Sequence, residues 1–451
     1  MQRIVGVVAL AAALVVGLPG VATASNDPFF PEQWALEAIG AEAAWSQGRG
    51  AGAVIAVVDT GVDLDHEDLA SKVVGGYDFI DDDADPDDDG SQGCDPPGPQ
   101  ESKTCDEGRG HGTHVAGTAA ASTGNGLGVA GVAPDARIMP VRVLDPAGSG
   151  SVVEVAKGIR FAADNGADVI NLSFGEMSTD DLSVAFTDAI RYAWSKGSIP
   201  VVAAGNSAAR SSNFTDEPVL VVTATGRGDT RPRYASGVGD AQWGIAAPGG
   251  DGSAGSDTGC DFGSSIVSTY AAGTYACLVG TSMAVPHVVG ALAVLRGTGL
   301  SPQQAVDQLL ATADDVGAPG SDTTFGAGRL NLARAVNSPP PAPTTTAAPT
   351  TTTEAPALVA AAPATTVPPT TTPAPPSTTT TLPPTTTTPS TISLPPLDAD
   401  PVAPPPEGQA VAVLPGGGDD ATRYVLAVPA GLLIAGMGAA AARTRRRLAA
   451  P

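Results

Sequence analysis

From Asn26 to Asn337 the chain alternates short runs rich in β-branched residues with longer segments whose apolar residues recur at helical spacing. That alternation leaves few options, because parallel strands need crossover connections and each helix needs a sheet face to cover. Strands are expected at Val54–Val58, Arg137–Val143, Val169–Ser173, Ile199–Ala203 and Val219–Ala224. Helices are expected over Ser151–Asn165, over Leu182–Lys196, and from Ser301 through Thr312. The reading is an α/β domain, residues 26–337, with a central, mainly parallel sheet flanked by helices.

The flanks of this domain are composed differently. Residues 1–24 carry Arg3, an apolar run from Ile4 to Leu18 and the small-x-small sequence Ala22-Thr23-Ala24, the pattern of a cleaved secretion signal. Residues 338–407 are a Pro/Thr/Ala tract too poor in bulky apolar groups to offset the entropy of ordering, and are expected to form a disordered linker. A spacer, 408–423, leads to the apolar segment 424–442, long enough as a helix to cross a bilayer, and an arginine-rich tail at 443–451 would hold the cytoplasmic side. This layout predicts a single-pass membrane protein with its large domain outside the cell. The stretch Leu414-Pro415-Gly416-Gly417-Gly418 ahead of the apolar segment is similar to a sortase signal without its threonine, so a wall-linked form is the alternative.

Charge narrows the partners. The formal net charge is −24, which repels phosphate backbones and argues against nucleic acid. Four cysteines allow three pairings, and in an exported chain proximity favours Cys94–Cys105 and Cys260–Cys277.

Three short blocks carry chemistry. The strand Val54–Val58 runs into Asp59-Thr60-Gly61, placing a carboxylate at the C-terminal end of a buried strand, where α/β proteins put their sites. Gly110-His111-Gly112 sets a histidine between glycines, just ahead of a small-residue helix over Ala116–Ala121, which would leave His111 exposed and mobile. His114 reads as a packed helical residue, since no third zinc ligand follows at a usable spacing. Gly280-Thr281-Ser282 opens a long apolar run with Pro286 expected in the first helical turn, so Ser282 would sit at a helix N-terminus. Aspartate, histidine and serine in that order reproduce the chain order of the subtilisin triad.

Together Asp59-Thr60-Gly61, His111-Gly112-Thr113-His114-Val115-Ala116-Gly117 and Gly280-Thr281-Ser282-Met283-Ala284 resemble the active-site blocks of the subtilisin-like serine proteases, or subtilases. The resemblance implies a subtilisin-like three-layer fold and a serine endopeptidase acting on peptides or proteins. It implies Ser282 as nucleophile, His111 as general base and Asp59 as its partner. Val201 to Ser207 resembles the oxyanion block, with Asn206 as side-chain donor. Ser173-Phe174-Gly175 and Ala203-Ala204-Gly205 resemble the segments that bind substrate. Thr123 to Val129 is similar to a family calcium loop, with Asp68, Asn125 and the carbonyls of Thr123, Leu127 and Val129 as oxygen ligands for a structural Ca²⁺. The acidic run Asp81–Asp89 reads as a solvated loop or a second ion site. No prodomain is expected, because Asn26 to Trp34 already resembles the start of a catalytic domain. The protein is expected to be a monomer. Two other readings stay open, a non-catalytic peptide-binding surface module and an esterase on the same scaffold.

Overall fold

The computed structural model describes residues 25–88, 109–174, 184–208, 214–252 and 260–341, with three short strands further on. Two short helices, α1 (Trp34–Ile39) and α2 (Ala41–Ala44), lead into β1 (Val54–Asp59). There follow β2 (Tyr77–Asp78), α3 (His111–Ala120), β3 (Arg137–Arg142), β4 (Ser149–Ser151), α4 (Val152–Asp164), β5 (Val169–Leu172) and α5 (Val184–Lys196). The domain closes with β6 (Ile199–Ala203), β7 (Leu220–Thr225), β8 (Trp243–Pro248), the hairpin β9 (Ile266–Tyr270) and β10 (Thr274–Leu278), then α6 (Thr281–Gly297), α7 (Pro302–Ala311) and α8 (Leu332–Asn337).

Seven strands form one sheet in the order β2-β3-β1-β5-β6-β7-β8, every pairing parallel. Successive residues of β1 serve opposite layers, with Ile55 and Val57 packing into the core around α3 and α6, and Ala56 and Val58 into the core around α4 and α5. Those are the two helical layers that the alternating sequence predicts. The chain passes from β1 to β3 on one side and later to β5 on the other, so β1 ends at the point where strand order reverses, the usual position of a site in such sheets.

Both edges of the sheet are closed. β2 is two residues long, and its Asp78 is held by Arg142 Nη1 at 2.6 Å. Along β8, Gly244 O accepts from Ala327 N–H, Ala246 N–H donates to Gly328 O, and Ala246 O accepts from Leu330 N–H.

Helix α6 is buried from Thr281 through Leu295, as a helix apolar on all sides must be. Pro286 is its sixth residue rather than part of the first turn. A proline there has no N–H for the carbonyl of Ser282 four residues back. Ser173 Oγ fills the vacancy, donating to Ser282 O at 2.9 Å, and itself accepts from Asn171 Nδ2 at 2.9 Å. The tolerated proline and the buried serine–asparagine pair are thus two halves of one arrangement.

Among the described residues a disulfide joins Cys260 and Cys277. Residues 1–24, Cys94, Cys105, Gly175, and most of the linker, spacer, apolar segment and tail lie outside the description. Three strands interrupt that C-terminal region. β11 (Thr391–Ser393) lies within the stretch expected to be disordered, and β12 (Val411–Ala412) pairs antiparallel with β13 (Leu426–Ala427), where a helix is expected from 424. No helix among the described residues is long and apolar enough to cross a membrane.

Candidate active site

Asp59 is the last residue of β1 and is fully buried. Its Oδ1 accepts from Thr60 N–H and from His111 Nδ1, each at 2.8 Å. Oδ2 is buried and has no partner among the described residues. His111 departs from its expected setting, since it is the first residue of α3, helical already, and only 9% exposed. Close packing of glycine creates this position. A Cβ on Gly112 would stand 2.1 Å from Gly61 O and 3.1 Å from Asp59 Cβ, so only glycine lets the helix start approach the end of β1. Gly110 precedes it with φ +75°, where a Cβ would meet the Tyr270 ring at 2.7 Å. The imidazole is therefore placed, not mobile.

Ser282 is the second residue of α6, 3% exposed, with its carbonyl tied to Ser173 as described. No hydrogen bond joins Ser282 Oγ to His111 among the described residues, a common state for a nucleophile–base pair that tightens around substrate. Asn206 is oriented by the helix start, its Oδ1 accepting from Thr281 N–H at 3.0 Å and from Thr281 Oγ1 at 2.9 Å. That leaves Nδ2 to donate elsewhere. Gly280, at φ +153°, opens space in front of it, and a Cβ there would lie 3.4 Å from Asn206 Nδ2 and 3.7 Å from Ser282 N. Two N–H donors thus border one small void beside the serine, the form an oxyanion site takes.

Sequence reasoning missed the residue that binds these blocks together. Asp88 Oδ2 accepts from Gly110 N–H at 2.9 Å, Thr60 Oγ1 at 3.1 Å and Thr113 Oγ1 at 3.4 Å, while Thr60 Oγ1 accepts from Gly112 N–H. The turn after Asp59 and the turn around His111 therefore share one carboxylate. Burial pushes the Asp88 carboxyl up to about 8, and the nearby Asp59 carboxylate pushes the same way. Asp88 belongs to the run read as a solvated loop or ion site. Its neighbours Asp81, Asp82, Asp83 and Asp85 are exposed, but Asp88 is not.

The remaining candidates divide. His114 is fully buried with Nε2 donating to Ile266 O at 3.0 Å, and burial pushes it down to about 3, as suits a packed residue. Phe174 is fully buried in the core around α4 and α5, so only its backbone is available to a substrate. Ala203 ends β6, Ala204 follows it, and Gly205 turns the chain at φ +100° towards Asn206.

The calcium candidates converge on one loop. Asp68 is fully buried; its Oδ1 accepts from Asn125 Nδ2 at 2.8 Å, and its Oδ2 from Val129 N–H and Tyr275 Oη, both at 2.9 Å. Burial raises its carboxyl above the ordinary aspartate range. Asp27, absent from the sequence reading, accepts from the N–H groups of Gly124, Asn125 and Gly126, which left-handed glycines at 124 and 126 turn towards it. No group of three or more His, Cys, Asp or Glu side chains among the described residues is arranged to hold a metal. The oxygen-only chemistry of Asp68, Asn125 and the loop carbonyls suits Ca²⁺, though Asn125 turns its amide nitrogen, not its oxygen, towards Asp68.

A family model for the subtilases, peptidase family S8, matches residues 50–328. The chain belongs to the subtilase family. Thermitase from Thermoactinomyces vulgaris is 40% identical over 316 residues, covering 69% of this chain and 98% of the relative. A thermophilic serine proteinase from Bacillus sp. (strain AK1) is 40% identical over 301 residues, 65% of this chain and 64% of that protein. Among solved structures, a protease of Pseudoalteromonas arctica PAMC 21717 is similar with a TM-score of 0.58 at 32% identity, covering 70% of this chain and 99% of the other. This subtilase is a serine endopeptidase with a subtilisin-like α/β fold.

Proposed function

We propose that this subtilase hydrolyses peptide bonds through an acyl-enzyme, with Ser282 as nucleophile, His111 as general base and acid, and Asp59 as the group that orients the imidazole. The alkoxyl needs a base at neutral pH. In this reading Ser282 Oγ attacks the scissile carbonyl as its proton passes to His111 Nε2, and the same proton leaves on the departing amine. Water repeats the sequence on the ester. Asp59 Oδ1 fixes Nδ1 as the protonated nitrogen, which keeps Nε2 free to accept. The observation that supports the reading is the space beside Gly280 bordered by Asn206 Nδ2 and Ser282 N, two N–H donors of the kind that stabilise a developing oxyanion. Ser282→Ala is expected to abolish labelling by a fluorophosphonate probe, and labelling that survives would remove Ser282 from this role.

Three further assignments are proposals. Ser173–Gly175 and Ala203–Gly205 supply the backbone against which substrate lies. Ca²⁺ is held by Asp68, Asn125 and the carbonyls of Thr123, Leu127 and Val129, where it would neutralise a buried carboxylate and pin the loop to the body. Because a ligand of the folded state raises its stability, a chelator should lower the melting temperature, and an unchanged value would reject the site. The domain works outside the cell, anchored by residues 424–442. Deleting from Tyr424 onward should release activity from the membrane fraction, whereas recovery of the full chain in a wall-linked form would favour sortase processing instead.

A further inference from the structure

The two donors that border the space beside Gly280 belong to distant parts of the chain, since Asn206 follows β6 and Ser282 opens α6. One link between them is direct, through Thr281 and Asn206 Oδ1. A second link runs through residues 231–236, between β7 and β8. Ser236 N–H donates to Gly205 O at 2.9 Å and Ala208 N–H donates to Tyr234 O at 2.8 Å, so this loop holds Asn206 by the chain on either side of it. Arg231 Nη2 donates to both Ala208 O and Ala235 O, and Thr223 Oγ1 of β7 donates to Ser236 O at 2.6 Å, which roots the loop in the sheet. Ala208 sits at φ +59°, a setting that alanine keeps only where its surroundings impose it.

Tyr234 carries the link across to Gly280. Its backbone holds Ala208, while its hydroxyl donates to Gly250 O at 2.6 Å and lies 3.1 Å from Gly249 O. Gly249 O is also the acceptor for Gly280 N–H at 2.9 Å, and the same N–H bonds the phenol oxygen. The turn at Gly249 is pressed against Gly280, because a Cβ there would stand 2.5 Å from Gly280 O. A shift of that turn is therefore a shift of Gly280. Burial, helped by the Asp251 carboxylate, pushes the phenol above its ordinary range, so the hydroxyl keeps its proton and remains a donor.

We propose that Tyr234 is a positioning residue for the oxyanion site, its backbone and its hydroxyl together fixing the gap between Asn206 and Gly280. The inference rests on the protease reading above and deepens it. Its effect falls on the transition state, because the charge on the substrate oxygen exists only there.

The test is Tyr234→Phe in the full chain, which removes one oxygen and keeps the ring. Misaimed donors are expected to lower kcat roughly tenfold, with KM for a short chromogenic peptide within twofold. A peptide boronate, whose tetrahedral adduct places an oxygen at the same donors, should bind more weakly by about the same factor. On an Asn206→Ala background, Tyr234→Phe should cost less than about twofold more. Rates are referred to sites titrated to saturation with a fluorophosphonate, so that only competent enzyme is counted. If Tyr234→Phe yields no folded chain, Arg231→Lys loosens the same loop at Ala208 by losing the guanidinium fork, and it should show the same kcat-only loss at smaller size. A kcat within twofold of normal, a loss confined to KM, or a loss that multiplies in full with Asn206→Ala overturns the proposal. If the unaltered chain does not react with the fluorophosphonate, the protease reading fails and takes this inference with it.

Discussion

Gly280→Ala puts a single methyl group into the void that the proposed chemistry needs. Its Cβ would stand 3.4 Å from Asn206 Nδ2 and 3.7 Å from Ser282 N. An oxyanion accepting from both nitrogens at about 2.7–3.1 Å would overlap that methyl, so neither donor could be used. Loss of one such donor costs about 2.7–4 kcal/mol of transition-state stabilisation, or about 10²–10³ in kcat, and blocking the pair should cost at least as much. The backbone adds a smaller penalty, since φ +153° is unfavourable for alanine and strain of this kind is worth about 1–3 kcal/mol of fold stability. The assay is steady-state turnover of a chromogenic peptide beside thermal unfolding of the same preparation. The expected result is a kcat lowered by about 10² or more, KM within a few-fold, and a protein that still unfolds cooperatively. Because Gly280 and Asn206 would act on one oxygen, adding Asn206→Ala to Gly280→Ala should cost little more. A Gly280→Ala enzyme within tenfold of normal kcat, or one whose loss multiplies in full with Asn206→Ala, would refute the assignment of this void.

Asp88 gives a pH signature. Burial raises its carboxyl to about 8 from the ordinary aspartate value of 3.8, so the folded chain keeps a proton that the unfolded chain has released, and stability falls as pH rises between those values. From pH 6.5 to 8 the loss is about 2 kcal/mol, and the melting temperature should decline by a few degrees over that window, with Asp88→Asn abolishing the decline. His114 and His287, pushed by burial down to about 3 and about 4, act in the opposite sense. Stability should fall as pH drops below 6.5, where the unfolded chain protonates both, and unfolding followed from pH 6.5 to 4.5 checks it. Ser173→Ala should cost about 1–3 kcal/mol by orphaning the Ser282 carbonyl, and Pro286→Ala, which returns an N–H to that carbonyl, should recover part of the loss in a double-mutant cycle. Replacing Cys260 and Cys277 by serine opens a cross-link over a sequence separation of 17 and should cost about 3 kcal/mol by chemical denaturation.

The five strands expected from the sequence all form within a residue or two of their expected ends, because each is a short, largely apolar run that contains β-branched residues and is buried along nearly all its length. Strand β8 was not legible. Its Trp-Gly-Ile-Ala-Ala-Pro mixes small residues with a glycine and a proline, and it is a strand because β7 on one side and the chain from Ala327 to Leu330 on the other supply its partners. The start of α3 was misplaced for a related reason. Glycines on both sides of His111 read locally as loop, yet Gly112 is there for contact with Gly61 and Asp59, a tertiary demand that no local pattern announces. The four positions proposed for the chemistry stand out in the sequence because each block has its own signature. Asp88 and Asp27 could not, since their roles depend on N–H groups 22 and about 97 residues away. Pro286 could be seen to sit in a helix, but what replaces its missing hydrogen bond comes from β5 and its exit.

The closed edges of the seven-stranded sheet bear on how this molecule meets its own copies. An uncovered strand edge invites a neighbour's strand. Here β2 is too short and too charged to recruit one, and β8 is already paired along Gly244 and Ala246. The main sheet therefore offers a second copy of the folded domain no open edge to extend, and any ordered polymer built on it would first have to break one of these closures.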